Sequence, residues 1–264
     1  MIFGFTPYDG LSTGVIATLL GVNFFGYTLR GAFGFGAGLP IILLMSFLIP
    51  PHEAIVLHST ATLVSQFQLL PQGIRDGDWK ISKSLILGFF VSTILGVWIF
   101  SSLQENHLKI TMGALLLIVI VGDMTNLLDR VTARIDLRRP IVPFSFASIA
   151  GIIGTIAGGG TGYFLSVYLK WATENPKSFR GTSLLMAVFY ASWRFILLLV
   201  AGWISWQLLL NAICLIPVIV LGGISGRLVS ERMSTPAFYR AVQIMLIFAA
   251  VILVVKGLGL IPKS

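Results

Sequence analysis

Ten apolar runs, separated by short polar breaks, take up most of this 264-residue chain: 11–29, 39–49, 54–71, 84–104, 108–126, 141–157, 161–171, 178–200, 205–226 and 237–256. Most approach the length of about 20 apolar residues that a helix needs to cross a bilayer. Only 11% of the residues are charged and the mean hydropathy is +0.93, whereas a soluble domain carries about 25% charged residues. A water-soluble enzyme, a secreted disulfide scaffold and a disordered tail are therefore excluded. An open sheet edge finds no partner in lipid. A barrel would alternate polar and apolar residues, and Leu115-Leu116-Leu117-Ile118-Val119-Ile120 does not. The expected fold is an all-α polytopic membrane protein. Met1 to Asp9 shows no basic stretch and no small-residue cleavage site, so no signal peptide is expected. The lone Cys214 makes neither an internal disulfide nor a metal cluster.

Two runs, 39–49 and 161–171, are too short to cross: eleven residues of helix reach about 16 Å, half a hydrocarbon core. Each follows a glycine cluster, Gly34-Phe35-Gly36-Ala37-Gly38 in one case and Gly158-Gly159-Gly160-Thr161-Gly162 in the other. The order of helix, break, short helix and three full helices occurs twice, as in an internal repeat. A shift of 124 places Gly36 on Gly160, Gly38 on Gly162, Ser59 on Ser183 and Gln66 on Tyr190; a shift of 127 places Trp79 on Trp206 and Gly96 on Gly223. Residues 1–128 and 141–264 then form the halves, with 129–140 as a basic linker.

The basic residues discriminate two topologies. If each broken pair crosses fully, there are eight crossings and the loops divide the bases nine to six. If each pair turns back near the midplane, six crossings remain, the halves are inverted, and the split is twelve to three, with only Lys109, Lys256 and Lys263 on the poor side. Lys and Arg concentrate on the cytoplasmic side, which favours inverted repeats with re-entrant hairpins, a recurrent transporter plan. The net charge of +8 reads as topology and as a field favouring an anion, with no nucleic-acid role.

The chain resembles the TauE/SafE family of membrane proteins, the sulfite-exporter type, from about Gly14 to Gly257. The resemblance is carried by Gly31 to Pro40, Pro50-Pro51-His52-Glu53-Ala54, His58-Ser59-Thr60 and Gly77-Asp78-Trp79. In the second half it is carried by Gly154 to Gly162, Pro176, Arg180-Gly181-Thr182-Ser183-Leu184 and Gly202-Trp203-Ile204-Ser205-Trp206. Phe33, Phe35 and the pair His58-Ser59 depart from the commoner family pattern. The resemblance implies export of a small sulfur-containing anion, of the sulfite or organosulfonate class, across a bacterial-type inner membrane.

The candidate anion site is built on the two breaks. Gly36, Ala37 and Gly38, with Gly160, Thr161 and Gly162, are expected to unwind and to expose helix N-termini, where free N–H groups and positive partial charge hold an oxyanion. Pro40 suits the first turn of a helix. Ser59, Thr182 and Ser183 either donate to substrate or bond back to their own helices. Gln66, paired with Tyr190 in the repeat, faces the same cavity. Arg194 lies inside an uncharged stretch at a cost of at least about 2.5–3.5 kcal/mol. It either binds substrate or snorkels. His58 is either an ordinary hydrogen-bonded helix histidine or a proton-linked residue. Catalytic motifs and metal-ligand spacings are absent, so neither enzyme activity nor a cofactor or metal is expected. Transport then draws on a coupling proton, another ion or the electrochemical gradient. An anion channel on the same scaffold and a non-transporting membrane assembly or partner-binding protein are the rival readings. Nothing in the sequence fixes the oligomeric state.

Overall fold

The computed structural model describes residues 6–33, 38–67, 70–125, 130, 136–137, 139–230 and 247–260. Every regular element among them is helical: α1 (Thr13–Phe33), α2 (Gly38–Met45), α3 (Pro51–Phe67), α4 (Leu70–Asp76), α5 (Trp79–Ser102), α6 (Glu105–Met124), α7 (Ile141–Ala157), α8 (Thr161–Ala172), α9 (Pro176–Val200) and α10 (Trp206–Ser230), followed by α11 (Ile247–Gly257). Among the described residues four helices are long and apolar enough to cross a membrane: α5, α6 over Glu105–Gly122, α9, and α10 over Trp206–Gly226. Large apolar side chains such as Trp98, Phe90, Ile213 and Leu221 are exposed on them, as lipid-facing surfaces require.

Local chemistry sets the boundaries. Asp78 caps α5 by accepting from the amides of Lys80 and Ile81; Asn175 caps α9, which opens on Pro176. The run 54–71 falls on α3 and α4, and residues 68 and 69 between them lie outside the described residues. Gly73 of α4 lies against the backbone of Leu185 in α9.

Both short helices fold back beside the helix that precedes them. In the first half Gly26 of α1 lies against Ile41 of α2, and Asn23 Nδ2 approaches Met45 Sδ at 3.4 Å. In the second, Thr161 Oγ1 donates to the Ala150 carbonyl at 3.3 Å, and the rings of Phe146 and Tyr168 stand 5.3 Å apart. With eight and twelve residues, α2 and α8 reach about 12 and 18 Å.

The helices that open the two halves pack mainly across to the other half. Helix α1 lies along α10, and α7 lies along α5. Glycines bring these pairs close: Gly222 of α10 sits against the Phe24 carbonyl and Tyr27, Gly88 of α5 against Phe144 and Ala147, and Gly96 against Thr155. Both pairs are parallel in register, since Tyr8 N donates to Asn211 Oδ1 at one end of the first pair and residues 88 and 96 meet 144 and 155 in ascending order in the second.

One end of the bundle gathers the basic connections. There Asp78 N donates to Thr182 Oγ1 at 2.8 Å, Lys177 Nζ stands 3.5 Å from Asp76 Oδ1, and Tyr168 OH donates to the Leu137 carbonyl at 3.1 Å. The opposite end holds His52, stacked on Trp203 with ring centroids 4.8 Å apart, and the start of α6. The connections before α5, before α7 and before α9 thus share an end.

Two predictions follow from this packing. In a Cys214→Ser background, single cysteines at 78 and 174 should label from one side of the membrane and one at 104 from the other; opposite labelling of 78 and 174 would refute the shared end. Gly222→Ala places a methyl 2.7 Å from the Phe24 carbonyl oxygen, whereas Gly223→Ala enters open space. Thermal unfolding of the purified protein should fall by several degrees for the first. It should hold or rise for the second, which gains about 1 kcal/mol of helix propensity.

Candidate functional site

The glycine breaks of the two halves touch. A Cβ built on Gly159 would lie 2.8 Å from the amide nitrogen of Leu39 and 3.1 Å from the Gly38 carbonyl carbon. A Cβ on Gly38 would lie 3.3 Å from His58 Nε2 and 3.7 Å from the Gly159 Cα. At Gly159 only a residue without a side chain permits this backbone approach, whereas a Cβ at Gly38 would meet Gly159 at an ordinary contact distance. Gly158 and Gly160 also adopt left-handed φ angles of 76° and 90°. Gly158 ends α7, and Gly160 stands at the start of α8. Two helix N-termini, those of α2 and α8, thus open within one junction. Gly36 and Ala37 lie outside the described residues.

Arg194 binds the end of α7. Its Nη2 donates to the Thr155 carbonyl at 3.1 Å and its Nη1 to the Gly158 carbonyl at 3.4 Å. These are the carbonyls that a helix leaves without partners when it stops, at its partially negative end. The side chain is 4% exposed, so Arg194 does not snorkel. Helices α2, α7, α8, α9 and α10 contain no acidic residue, and α3 contains only the exposed Glu53 in its first turn. Among the described residues the guanidinium meets backbone carbonyls and Tyr190 rather than a carboxylate, and its Nε has no hydrogen-bond partner. Seven and four residues separate Ser183, Tyr190 and Arg194 along α9, which puts them on one face.

The remaining candidates divide into engaged and open groups. Thr155 Oγ1 donates to the Gly151 carbonyl at 2.7 Å, so Tyr190 OH is the donor in its 3.2 Å bond to Thr155 Oγ1. Thr161 is occupied with Ala150, Ser59 bonds back to the Ile55 carbonyl at 2.6 Å, and Thr182 accepts the Asp78 amide at the basic end. Gly162 is exposed, with nothing near its missing Cβ. By contrast, Gln66 Oε1, Ser183 Oγ and His58 Nδ1 are buried without partners. Buried polar groups are normally paired, so these atoms mark a polar interior between α3 and α9, which pack together. The residues of the two breaks, His58 and Arg194 come together, while Thr182 stands apart at the basic end.

Sequence reasoning missed Tyr27 and Thr155. Tyr27 is 2% exposed, its ring centroid is 6.0 Å from that of His58, and the Arg30 guanidinium carbon lies 5.9 Å from the Tyr27 ring centroid. Thr155 lies in the last turn before the break, where its carbonyl was bound to need a donor. That signal was legible.

A family model, described as sulfite exporter TauE/SafE, matches residues 19–253. The chain belongs to the sulfite exporter TauE/SafE family. It is accordingly a multi-pass protein of a membrane transporter family for sulfur anions. Comparison with curated proteins finds no match, and comparison with solved structures finds none. In this TauE/SafE protein the touching glycines and the buried Arg194 occupy the same junction.

Arg194→Ala should act twice. It strands two buried carbonyls, at about 1–3 kcal/mol each, lowering the unfolding temperature, and it removes the junction's buried charge, weakening anion binding at least about ten-fold. Arg194→Lys should keep part of the binding. Unfolding curves and anion titration of both variants check this, and undiminished binding in Arg194→Ala would remove Arg194 from the site.

Proposed function

We propose that this TauE/SafE protein is a secondary transporter that carries a small sulfur-containing anion, of the sulfite or organosulfonate class, outward across a bacterial-type inner membrane. The observation that carries this reading is the contact of Gly38 with Gly159 between two helix N-termini, beside a buried arginine that lacks a carboxylate. Each N-terminus contributes roughly half a positive charge. Together with Arg194 they favour one anion, held chiefly by backbone amides that ask for close approach rather than a fixed side-chain geometry.

The halves 1–128 and 141–264 read as inverted repeats joined by the linker 129–140, with six crossings and two re-entrant hairpins. Three features support this: the folded-back short helices, the exchange of α1 and α7 between halves, and the gathering of basic connections at one end. The basic end is then cytoplasmic. Inverted halves bring both breaks to one depth, and rocking one half against the other opens the junction to each side in turn. Ser183 and Gln66 lie along α9 and α3 toward the basic end, on the cytoplasmic side of the route.

Thermal stabilisation tests the reading directly, because a ligand that binds only the folded form raises stability by mass action. Sulfite, sulfoacetate, sulfate and thiosulfate should be tried on the purified protein, followed by flux of each binder into proteoliposomes. At least one should bind and be moved. Absence of any flux would return the protein to a binding or assembly role, and a reversal potential that tracks the anion alone would mark a channel.

A further inference from the structure

We propose that His58 is the proton-accepting residue of the anion site, taking up one proton when the anion enters the joined breaks and releasing it as the anion leaves. This rests on the reading of those breaks as the anion site. His58 is 6% exposed, its Nδ1 is buried without a partner, and its Nε2 points to the Gly38 turn at the junction itself. A histidine placed only for structure normally fixes its tautomer by a hydrogen bond from at least one ring nitrogen. No hydrogen bond to either nitrogen occurs among the described residues.

The neighbours explain how the proton is controlled. From α1 the ring faces Tyr27 and Arg30, and from α9 it feels Arg194. The other ionisable side chain of α9 at this level, Tyr190, is bound to Thr155. Helix α2 carries no ionisable group, and α10 carries only Cys214 and Arg227. Of the charged groups of α6, Glu105 and His107 lie in the first turn, Lys109 just beyond it and Asp123 in the last turn, and His52 and Glu53 belong to the first turn of α3 itself. Among the described side chains no carboxylate pairs with His58, and the charges of Arg30 and Arg194 oppose an imidazolium there. An anion in the junction reverses that balance: it pairs with Arg194, offsets the local positive charge and makes the third cation favourable.

The coupling is reciprocal, since a proton that strengthens anion binding is itself bound more tightly when the anion is present. The proton comes from water on the side to which the junction is open, forms one N–H bond on the imidazole, and is returned to water on the other side. One anion and one proton cross together, and no other bond changes.

The probes are sulfate, thiosulfate and sulfoacetate, which hold their charge between about pH 6 and 8. Calorimetric titration in two buffers of different protonation heat counts the protons taken up per anion. We expect about one for the wild-type protein, with apparent affinity falling towards ten-fold per pH unit as pH rises. His58→Gln should still bind but take up none, and in proteoliposomes it should carry the anion without acidifying the lumen. His58→Asn serves as the second variant. Zero proton uptake by the wild-type protein, or uptake unchanged in a folded His58 variant, overturns the proton role and leaves the transporter reading standing. If no probe binds or moves, the transporter reading falls and the proton role falls with it.

Discussion

A guanidinium buried at a helix end, with no carboxylate to meet it, constrains the whole junction. Arg194 reaches from α9 to the carbonyls of Thr155 and Gly158, so α7 has a reason to stop where it does. Gly158 and Gly160 then take left-handed angles that a residue with a Cβ rarely adopts. The chain reverses, α8 runs back beside α7, and Gly159 is left facing Leu39 of the other half. Stop, reversal and contact between halves form one chain of dependence. Without the arginine, the end of α7 would present unpaired carbonyls to an apolar interior, which is the costlier arrangement in a membrane.

Much of the architecture was legible because the membrane leaves few options. A short apolar segment behind a glycine cluster cannot span, so α2 and α8 could be read as partial helices. The segment 141–157 matches α7 at both ends. The packing of α4 was not legible in hydropathy, because it rests on the fit of Gly73 against Leu185 on another helix. Nor was the use of Thr182. A hydroxyl early in α9 suggests substrate contact, but its partner is the Asp78 amide, 104 residues away. Arg194 illustrates the same limit: a lone arginine in an apolar run marks a position of consequence, while its actual partners are backbone atoms that carry no sequence signature.

The basic end shows a second kind of interaction that sequence spacing does not reveal. Asp76 has a side chain only 3% exposed, reached by Arg75 at 3.0 Å and by Lys177 at 3.5 Å. The hydrogen bond from Arg75 holds its carboxyl below the ordinary carboxylate range, with further help from the charges of Arg75 and Lys177. A carboxyl depressed in the folded state stabilises above its unfolded pKa, and that contribution is lost as pH falls through the folded value. Gly181 is packed against the backbone of Asp76 and Gly77, so this ion pair seals a close contact between the halves on the side of the basic connections.

A fold built from similar halves does not require the halves to share their chemistry. Under the 124-residue shift, Arg194 corresponds to Leu70, and His58 corresponds to Thr182. The fixed cation of the junction therefore comes from the second half and the titratable group from the first. In inverted halves with identical side chains, the inward-open and outward-open arrangements would be close in energy by symmetry, and any bias between them must come from residues that break the match. The tight contact of Asp76, Gly77 and Gly181 at the basic end has a different counterpart at the opposite end, where His52 stacks on Trp203 and is tilted against Phe100. One end is closed by ion pairs and backbone contact, the other by aromatic stacking. Those interactions respond differently to pH and salt, because screening weakens exposed charges and leaves apolar contacts largely intact. On the function proposed above, the preference between the two open states is set at the ends, while the shared glycine junction holds the anion in both.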